Sequence, residues 1–510
     1  MYLRKRFGYK IYVYTAILVY IIIFSTVQIA VYYSFNIYAW DLGIFNQALW
    51  NTLHGQLFYY TAEPFYTRTG CFLGAHFSPI LFLVIPVYAI YAKPETLLIV
   101  STFVIAIGAV AAYDIAMFFL KNEKAAVILA VFYLLHPSLL GVTLCGFSLE
   151  SFAATLFLFI IDYLIKCDFR KLAIVVPLGL MTHEASVPVI AFIGIYGMWH
   201  YHKSIKNKGF QASLIILAIS VPYFFFAQMM RAYFGWTCIP SLWHEWNLIG
   251  ANSPIDLPLK IVLNPMGALK ALTFDGATKA FYAITLLIPT AFLSLLGLEG
   301  LIPAIPYLFI TFFSAYPLYY SLGGHYGAFL APFIFVSLIH GIIRLQKKYR
   351  FQYSFLKLAK IVIMVCIISL VVLLPSVYYK YGVFRMNDEH NKIIYKFLAY
   401  IPQNASVLTQ SNIFPHISSR PNAYTIPPPT WGSQYRQIGK EMLLNLSKNN
   451  IEYLLLDFNS DPQYVSAAEL IYNAFSLENS TKYELIVPEE DGVQCYMLVD
   501  NLEKQHKNAK

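Results

Sequence analysis

The chain has 510 residues, of which 58% are hydrophobic and only 12% charged, a balance that excludes an ordinary soluble domain and points to an integral membrane protein. Its formal charge of +9 does not mark a nucleic-acid binder, because Lys and Arg fall in small clusters between apolar runs, where they orient a chain in a bilayer. Six Cys, with neither C-x-x-C spacing nor His at metal-finger intervals, signal neither a structural zinc site nor a disulfide framework.

The first apolar run, 11–33, exceeds twenty residues and lacks a small-residue cleavage site, so an uncleaved anchor is expected. Further spans are expected near 96–120, 125–145, 151–166, 186–200, 211–229, 278–297, 300–315, 326–343 and 358–378, with a shorter one at 171–182, about eleven crossings in all. The basic clusters Arg4-Lys5-Arg6 with Lys10, Lys121 with Lys124, Lys166 with Arg170 and Lys171, Lys203 to Lys208, and Lys347 and Lys348 with Arg350 are expected in the cytoplasm, the N-terminus with them. With residues 1–10 and 121–124 on one side, the crossings between them must be even in number. The run Phe77–Tyr91, interrupted by Pro79 and Pro86, is therefore expected as a re-entrant or interfacial segment, leaving 34–94 as one long external loop. The same parity puts 146–150, 182–185, 231–275, 315–325 and everything after about Lys380 outside. Beyond that point the short β-rich runs 406–409, 423–426, 453–458, 484–487 and 494–499 predict a small extracytoplasmic α/β domain at 381–510, following a transmembrane domain at 1–380.

Candidate chemistry lies on the external side. In Trp40-Asp41-Leu42-Gly43-Ile44-Phe45-Asn46-Gln47-Ala48-Leu49-Trp50, Ile44, Phe45, Ala48 and Leu49 share one helical face, so the segment is expected to lie along the membrane surface. Asp41 at its start either caps the helix, or deprotonates an acceptor hydroxyl or helps hold a divalent cation such as Mg or Mn. His76, in Gly74-Ala75-His76-Phe77-Ser78-Pro79, is either a solvated interfacial ring or a proton-transfer and phosphate contact. Glu150 enters the bilayer edge with no adjacent basic residue, as a cap or as a functional acid. Thr182-His183-Glu184 breaks an apolar hairpin, which desolvation disfavours unless the groups face a polar cavity or one another. The glycines of Gly323-Gly324-His325-Tyr326-Gly327 admit a ligand or serve a tight turn. Asp114 and Asp162 read as structural, Asp162 with Lys166 one turn later. There is no phosphate-binding G-x-x-x-x-G-K-[ST] loop, H-E-x-x-H or G-x-S-x-G, so a soluble nucleotide is not the expected energy source.

The runs D-L-G-I-F-N-Q-A-L-W-N-T-L-H-G at 41–55, G-A-H-F-S-P at 74–79, G-F-S-L-E at 146–150, T-H-E-A at 182–185, G-H-Y at 324–326 and P-H-I-S-S-R at 415–420 resemble a family of prokaryotic multi-pass membrane proteins defined by a domain of unknown function. The resemblance covers nearly the whole chain. Its arrangement is similar to the GT-C superfamily of membrane glycosyltransferases. That likeness implies a GT-C-like α-helical polytopic fold and a polyprenyl-phosphate-linked sugar as donor, with membrane lipids as surroundings and transfer at the outer face of the cell membrane. Asp41 would match the first-loop acid and Glu150 the second, as the catalytic pair, while His76, His183, Glu184, His325 and Tyr326 would bind acceptor or phosphate. The second motif has one acid rather than a pair, and Ser148 stands where His is expected in the family, which leaves a metal site open. The leading alternative is a non-enzymatic carrier or flippase for an isoprenoid-linked or other amphipathic substrate, and a third reading is an assembly or adhesion scaffold whose external domain binds another protein. A carrier would continue its polar lining to the cytoplasmic side, whereas a transferase would confine it to the outer third.

Overall fold

The computed structural model describes residues 8–237, 244–349, 354–381 and 388–499; Arg4, Lys5, Arg6 and Arg350 lie outside them. Apolar runs become helices because a backbone in lipid must satisfy its polar groups within the segment. Among the described residues, Lys10–Tyr33, Pro94–Leu120, Lys208–Tyr233 and Phe355–Val372 are long and apolar enough to cross a membrane singly. Two further pairs meet that criterion as broken spans: Glu123–Leu135 with Pro137–Leu144, bent by 46°, and Pro265–Thr273 with Gly276–Thr290, bent by 72°. The first bend falls at His136, held extended before Pro137, because a residue preceding proline is pushed out of the helical region. The other expected spans fall on helices that are shorter or less apolar, among them Leu149–Ile165, Phe169–Leu180, Ser186–His200 and Ala331–Lys348.

Pro94–Leu120 is the central helix. Its buried Ala106, Gly108, Ala109, Ala111, Ala112 and Ala116 let neighbours approach closely, and a Cβ at Gly108 would stand 2.6 Å from the Tyr133 hydroxyl. At one end of the bundle Lys10 meets Asp114 at 2.8 Å, and Lys166 meets Asp162 at 2.7 Å and Asp114 at 3.4 Å. These acids are spent on neighbouring cations, as a structural role requires.

Leu81–Ile90, with Pro86 inside it, is about 15 Å long at 1.5 Å per residue, half of a hydrocarbon core. Ile44–Leu53 departs from expectation. Instead of exposing a polar face, it is buried around most of its circumference, with Asn46 and Gln47 at 0% exposure. Its polar face is covered by the C-terminal segment: Asn46 donates to the Ser418 hydroxyl at 2.8 Å, and Gln47 donates to the carbonyls of Arg420 and Ala423 at 3.2 Å while accepting from the Thr61 amide at 3.0 Å. A Cβ at Gly43 would come within 2.5 Å of the Phe414 ring. Gln47→Ala is expected to lower stability by about 1–3 kcal/mol, because it leaves buried carbonyls unpaired. Faster proteolysis of the C-terminal region would read this out, while the exposed Gln437→Ala should leave the cleavage rate unchanged.

The C-terminal strands β1 (Val407–Thr409), β2 (Ala423–Tyr424), β3 (Tyr453–Asp457), β4 (Tyr483–Leu485) and β5 (Val493–Leu498) form one sheet in the order β2-β1-β3-β5-β4. β1 is parallel to β2 and β3, and β5 is antiparallel to β3 and β4. Alternation along the strands sends Val407, Leu455, Cys495 and Met497 into a core shared with Phe45, Phe72 and Phe147. Leu408, Leu454 and Leu456 pack on the other face with Met442, Leu443, Ala467 and Ile471, from the helices Ser433–Leu446 and Pro462–Ala474. One sheet face is thus continuous with the first long loop.

His390 joins this sheet to the helix Glu389–Leu398: Nε2 lies 3.1 Å from Asp457 and Nδ1 2.8 Å from Asp491. Hydrogen bonding to Asp457, opposed by partial burial, raises its pKa to about 9. A histidine pKa raised on folding contributes stability that is complete below about pH 6.5 and is lost as pH rises through 9. The intact protein should therefore lose thermal stability between pH 7 and 9 in a step that His390→Gln removes.

Candidate functional site

Asp41 sits in a π-helical turn, Ala39–Gly43, that runs into Ile44–Leu53. The residue capping that helix is Gly43, with no side-chain cap bond, so the carboxylate is not spent on capping. The Asp41 carbonyl accepts a 2.8 Å hydrogen bond from the Phe147 amide. Gly146 makes this approach possible: its φ is +105°, and a Cβ there would stand 2.9 Å from that carbonyl oxygen. The glycine of G-F-S-L-E thus joins two segments a hundred positions apart. Ser148 caps Leu149–Ile165 by accepting from the Ser151 amide, and Glu150 follows it in the first turn of that helix.

His325 lies between the two acids. Its Nδ1 is 3.8 Å from Asp41 Oδ1 and its Nε2 3.8 Å from Glu150 Oε1, and the Cys145 thiol donates to Asp41 Oδ1 at 3.2 Å. Burial opposes a charge on His325, but Glu150 on one side and Asp41 with Cys145 on the other outweigh it and hold the imidazole well above its ordinary range. Tyr326 packs against this ring at 4.2 Å and against Tyr319 at 4.6 Å.

A second group stands beside the first. The Ile80 amide bonds to the Met181 carbonyl at 3.1 Å, which brings the loop of His76 to the Thr182-His183-Glu184 break. His76 Nδ1 is 3.0 Å from Glu184, and the His76 and His183 rings are 4.5 Å apart. His183 Nδ1 accepts from the Ala185 amide at 2.9 Å, so the neutral ring carries its hydrogen on Nε2. Arg231 Nη1, from the end of Lys208–Tyr233, lies 3.4 Å from Glu184 and its guanidinium 4.7 Å over the Trp236 ring. Burial alone would raise the Glu184 carboxyl, but Arg231, His183 and His76 together hold it well below the usual carboxylate range.

A cavity of about 780 Å³ opens between these groups, lined at its polar end by Glu150, His76, His183, Glu184, Arg231, Trp236, His325 and Tyr326. Its walls are apolar and come from the helices, with Val187, Ala191 and Phe192 on one side and Leu217, Val221, Phe224 and Phe225 on another. Along Lys208–Tyr233 the lining runs from Leu217 to Gln228 and Arg231, roughly 21 Å at 1.5 Å per residue. All the site residues expected from the sequence are brought together here, Asp41 through its contact with His325 rather than on the cavity wall.

Arg231 and Trp236 were not expected from the sequence. Arg231 and Trp236 both line the cavity, and among the described residues the Arg231 Nε and Trp236 Nε1 hydrogens are buried without acceptors, which marks this corner as one with donor capacity to spare. The signal was available: a cation terminating a long apolar helix at the end where the charge pattern predicts few basic residues. Asp41, Cys145 and His325 form one group within reach of a shared metal ion, and His76, His183 and Glu184 another. Neither offers the oxygen-rich set that Mg or Mn takes, and in the second a cation would compete with Arg231 for Glu184.

Residues 31–494 match the family described as "Predicted membrane protein (DUF2079)". The chain belongs to this family. It is accordingly a helical membrane protein, with a small sheet near its C-terminal end. No curated protein matches this family member. Among solved structures it is similar to ArnT from Cupriavidus metallidurans bound to undecaprenyl phosphate, with 12% identity, a TM-score of 0.47 and coverage of 93% of this chain and 97% of that one. It is also similar to the arabinofuranosyltransferase AftD from Mycobacteria, with 13% identity and a TM-score of 0.48, spanning 96% of this chain but 40% of that one. At such identities and TM-scores these likenesses assign neither activity nor substrate.

Proposed function

We propose that this protein is a membrane glycosyltransferase that moves a sugar from a polyprenyl-phosphate donor to an acceptor at the outer face of the cell membrane. The observation that carries this reading is the cavity: apolar helix walls leading to a polar end where Arg231, Trp236 and His183 stand beside the carboxylates of Glu150 and Glu184. An isoprenoid chain fits the walls, and its phosphate meets the polar end where Arg231, Trp236 and His183 line the cavity. Asp41 takes the proton of an acceptor hydroxyl. The acceptor oxygen bonds to the anomeric carbon as that carbon's bond to the phosphate oxygen breaks. Lipid phosphate leaves with the electron pair, its charge met by those donors, and Asp41 returns its proton to water. Glu150 keeps His325 charged beside the reacting centre.

A carrier would need the polar lining to continue along the passage. Instead, the lining of Lys208–Tyr233 is polar at Gln228 and Arg231 and, apart from Ser220, apolar from Leu217 to Phe225. Lys10, Asp114, Asp162 and Lys166 pair with one another and do not line the cavity. The test is transfer of labelled sugar from a pool of polyprenyl-phosphate sugars to endogenous acceptors in membranes containing the protein. Labelled product that appears only with the protein supports the reading. No product across the pool, with insertion verified, sinks it and favours the carrier.

A further inference from the structure

Cys145 takes no part in the transfer step, yet its thiol lies in the same cluster as the base. Asp41 Oδ1, Cys145 Sγ and His325 Nδ1 form a triangle: 3.2 Å from sulfur to oxygen, 3.9 Å from sulfur to nitrogen and 3.8 Å from nitrogen to oxygen. A tetrahedral zinc ion, with bonds of about 2.3 Å to sulfur and roughly 2.0–2.2 Å to nitrogen and oxygen, sets such ligands about 3.4–3.6 Å apart, so each edge is within about 0.4 Å of a zinc site's. Glu150 Oε1 stands 3.8 Å from His325 Nε2, on the far nitrogen of the ring, which is where metal-bound histidines meet a carboxylate.

Close backbone contacts place the three side chains. Cys145 follows the helix Pro137–Leu144, in which a Cβ at Gly141 would collide with the Leu322 carbonyl oxygen; this glycine lets the helix lie against the turn that carries His325. Gly146 then brings the next peptide onto the Asp41 carbonyl. Cys145 is 8% exposed and the Asp41 and His325 side chains 20%, so the cluster is largely desolvated yet leaves room for a fourth ligand such as water. One thiol, one imidazole and one carboxylate make a donor set for zinc and other thiophilic divalent cations, whereas Mg and Mn take oxygen. The group of His76, His183 and Glu184 is less suited, because His183 Nδ1 already accepts from the Ala185 amide and Arg231 lies 3.4 Å from Glu184.

We propose that Asp41, Cys145 and His325 form a site for a thiophilic divalent cation such as zinc, and that its binding withdraws Asp41 from the role of base. This rests on the transferase reading and adds an off-state built into the same site. The cation enters as the thiol proton of Cys145 and the imidazolium proton of His325 leave, so two positive charges replace two protons and the net charge of the cluster is unchanged. What is lost is basicity: a carboxylate bound to a dication is a far weaker proton acceptor, and the acceptor hydroxyl keeps its proton.

The test uses the full chain in lipid nanodiscs and cobalt(II), which occupies tetrahedral zinc sites and shows a charge-transfer band when a thiolate binds it. The intact chain should show the band in the presence of excess magnesium and lose it when zinc is added. Cys145→Ser should abolish it, and Glu150→Gln should weaken cobalt binding roughly ten- to a hundredfold, while His76→Gln, a change in the other histidine group, should leave it. A cooperative thermal transition close to that of the intact chain certifies each variant as folded. No band in the intact chain, or a band that survives Cys145→Ser, overturns the site. Saturating zinc should suppress sugar transfer and a chelator restore it; transfer unchanged or raised by zinc in a chain that shows the band overturns the off-state. A band in a chain that transfers no sugar even with chelator leaves the site standing and overturns the transferase reading, and zinc-insensitive transfer without a band does the reverse.

Discussion

Asp41→Asn is expected to cut sugar transfer by roughly 10²–10⁴-fold, the usual worth of a positioned general base, while polyprenyl-phosphate binding is kept. The change is nearly isosteric. The Phe147 amide bonds to the main-chain carbonyl of Asp41, not to its side chain, so the union with the G-F-S-L-E turn survives, and the Cys145 thiol retains an oxygen acceptor. What changes is the ability to take a proton, together with one of the two negative charges flanking His325. The His325 pKa should therefore fall in the variant, since Glu150 alone must offset burial. An imidazole NMR titration would register this shift and certify that the site is assembled. Single-turnover transfer with preloaded donor separates the chemical step from binding. A rate within tenfold of the intact protein would remove Asp41 from the base role and pass it to Glu150, the other carboxylate in contact with His325.

The parts of this architecture legible in the sequence were those set by local pattern. Runs of Val, Ile, Leu and Tyr between turn residues gave all five C-terminal strands to within a few residues, because a half-buried strand needs that composition whatever it packs on. The parity argument required Phe77–Tyr91 not to cross, and Leu81–Ile90 has half the necessary length. Long-range partnership was much less legible. Asn46 and Gln47 read as the wet face of a surface helix, since nothing near them in sequence shows that Ser418, Arg420 and Ala423 cover them. Gly146 read as part of a motif without a reason, which is the backbone approach of Asp41 from a hundred residues away. The broken helices were equally hidden, except that Pro137 marks one break. Arg231 escaped notice because a terminal cation on a long apolar helix is ordinarily a solvated end; its burial depends on Glu184 and Trp236 arriving from other segments.

Arg231 also yields the prediction that best separates structure from function at this site. Arg231→Met keeps the length of the side chain and removes its charge, leaving Glu184 buried with only histidine partners. Breaking a buried ion pair from one side costs about 3–5 kcal/mol, so the single variant should be markedly less stable. Its carboxyl, relieved of the charge that most opposes burial, should titrate higher. A carboxyl whose pKa is lowered on folding contributes stability present above its unfolded pKa and lost as pH falls through the folded value; the variant should therefore lose that contribution at a higher pH than the intact protein. The double variant Arg231→Met with Glu184→Gln removes both charges and is expected to recover most of the lost stability, since the cost lies in the unpaired partner rather than in the absence of the pair. Phosphate recognition should not recover with it. Each charge-assisted hydrogen bond is worth about 1.5–3 kcal/mol, or roughly ten- to a hundredfold in affinity, and among the described residues lining the cavity Arg231 is the one Lys or Arg. Polyprenyl-phosphate affinity measured by calorimetry on the stable double variant should therefore remain low while affinity for the uncharged polyprenol is unchanged. If the double variant holds the phosphate as tightly as the intact chain, Arg231 serves only to neutralise Glu184, and the anion site must be built from His183 and Trp236 without it.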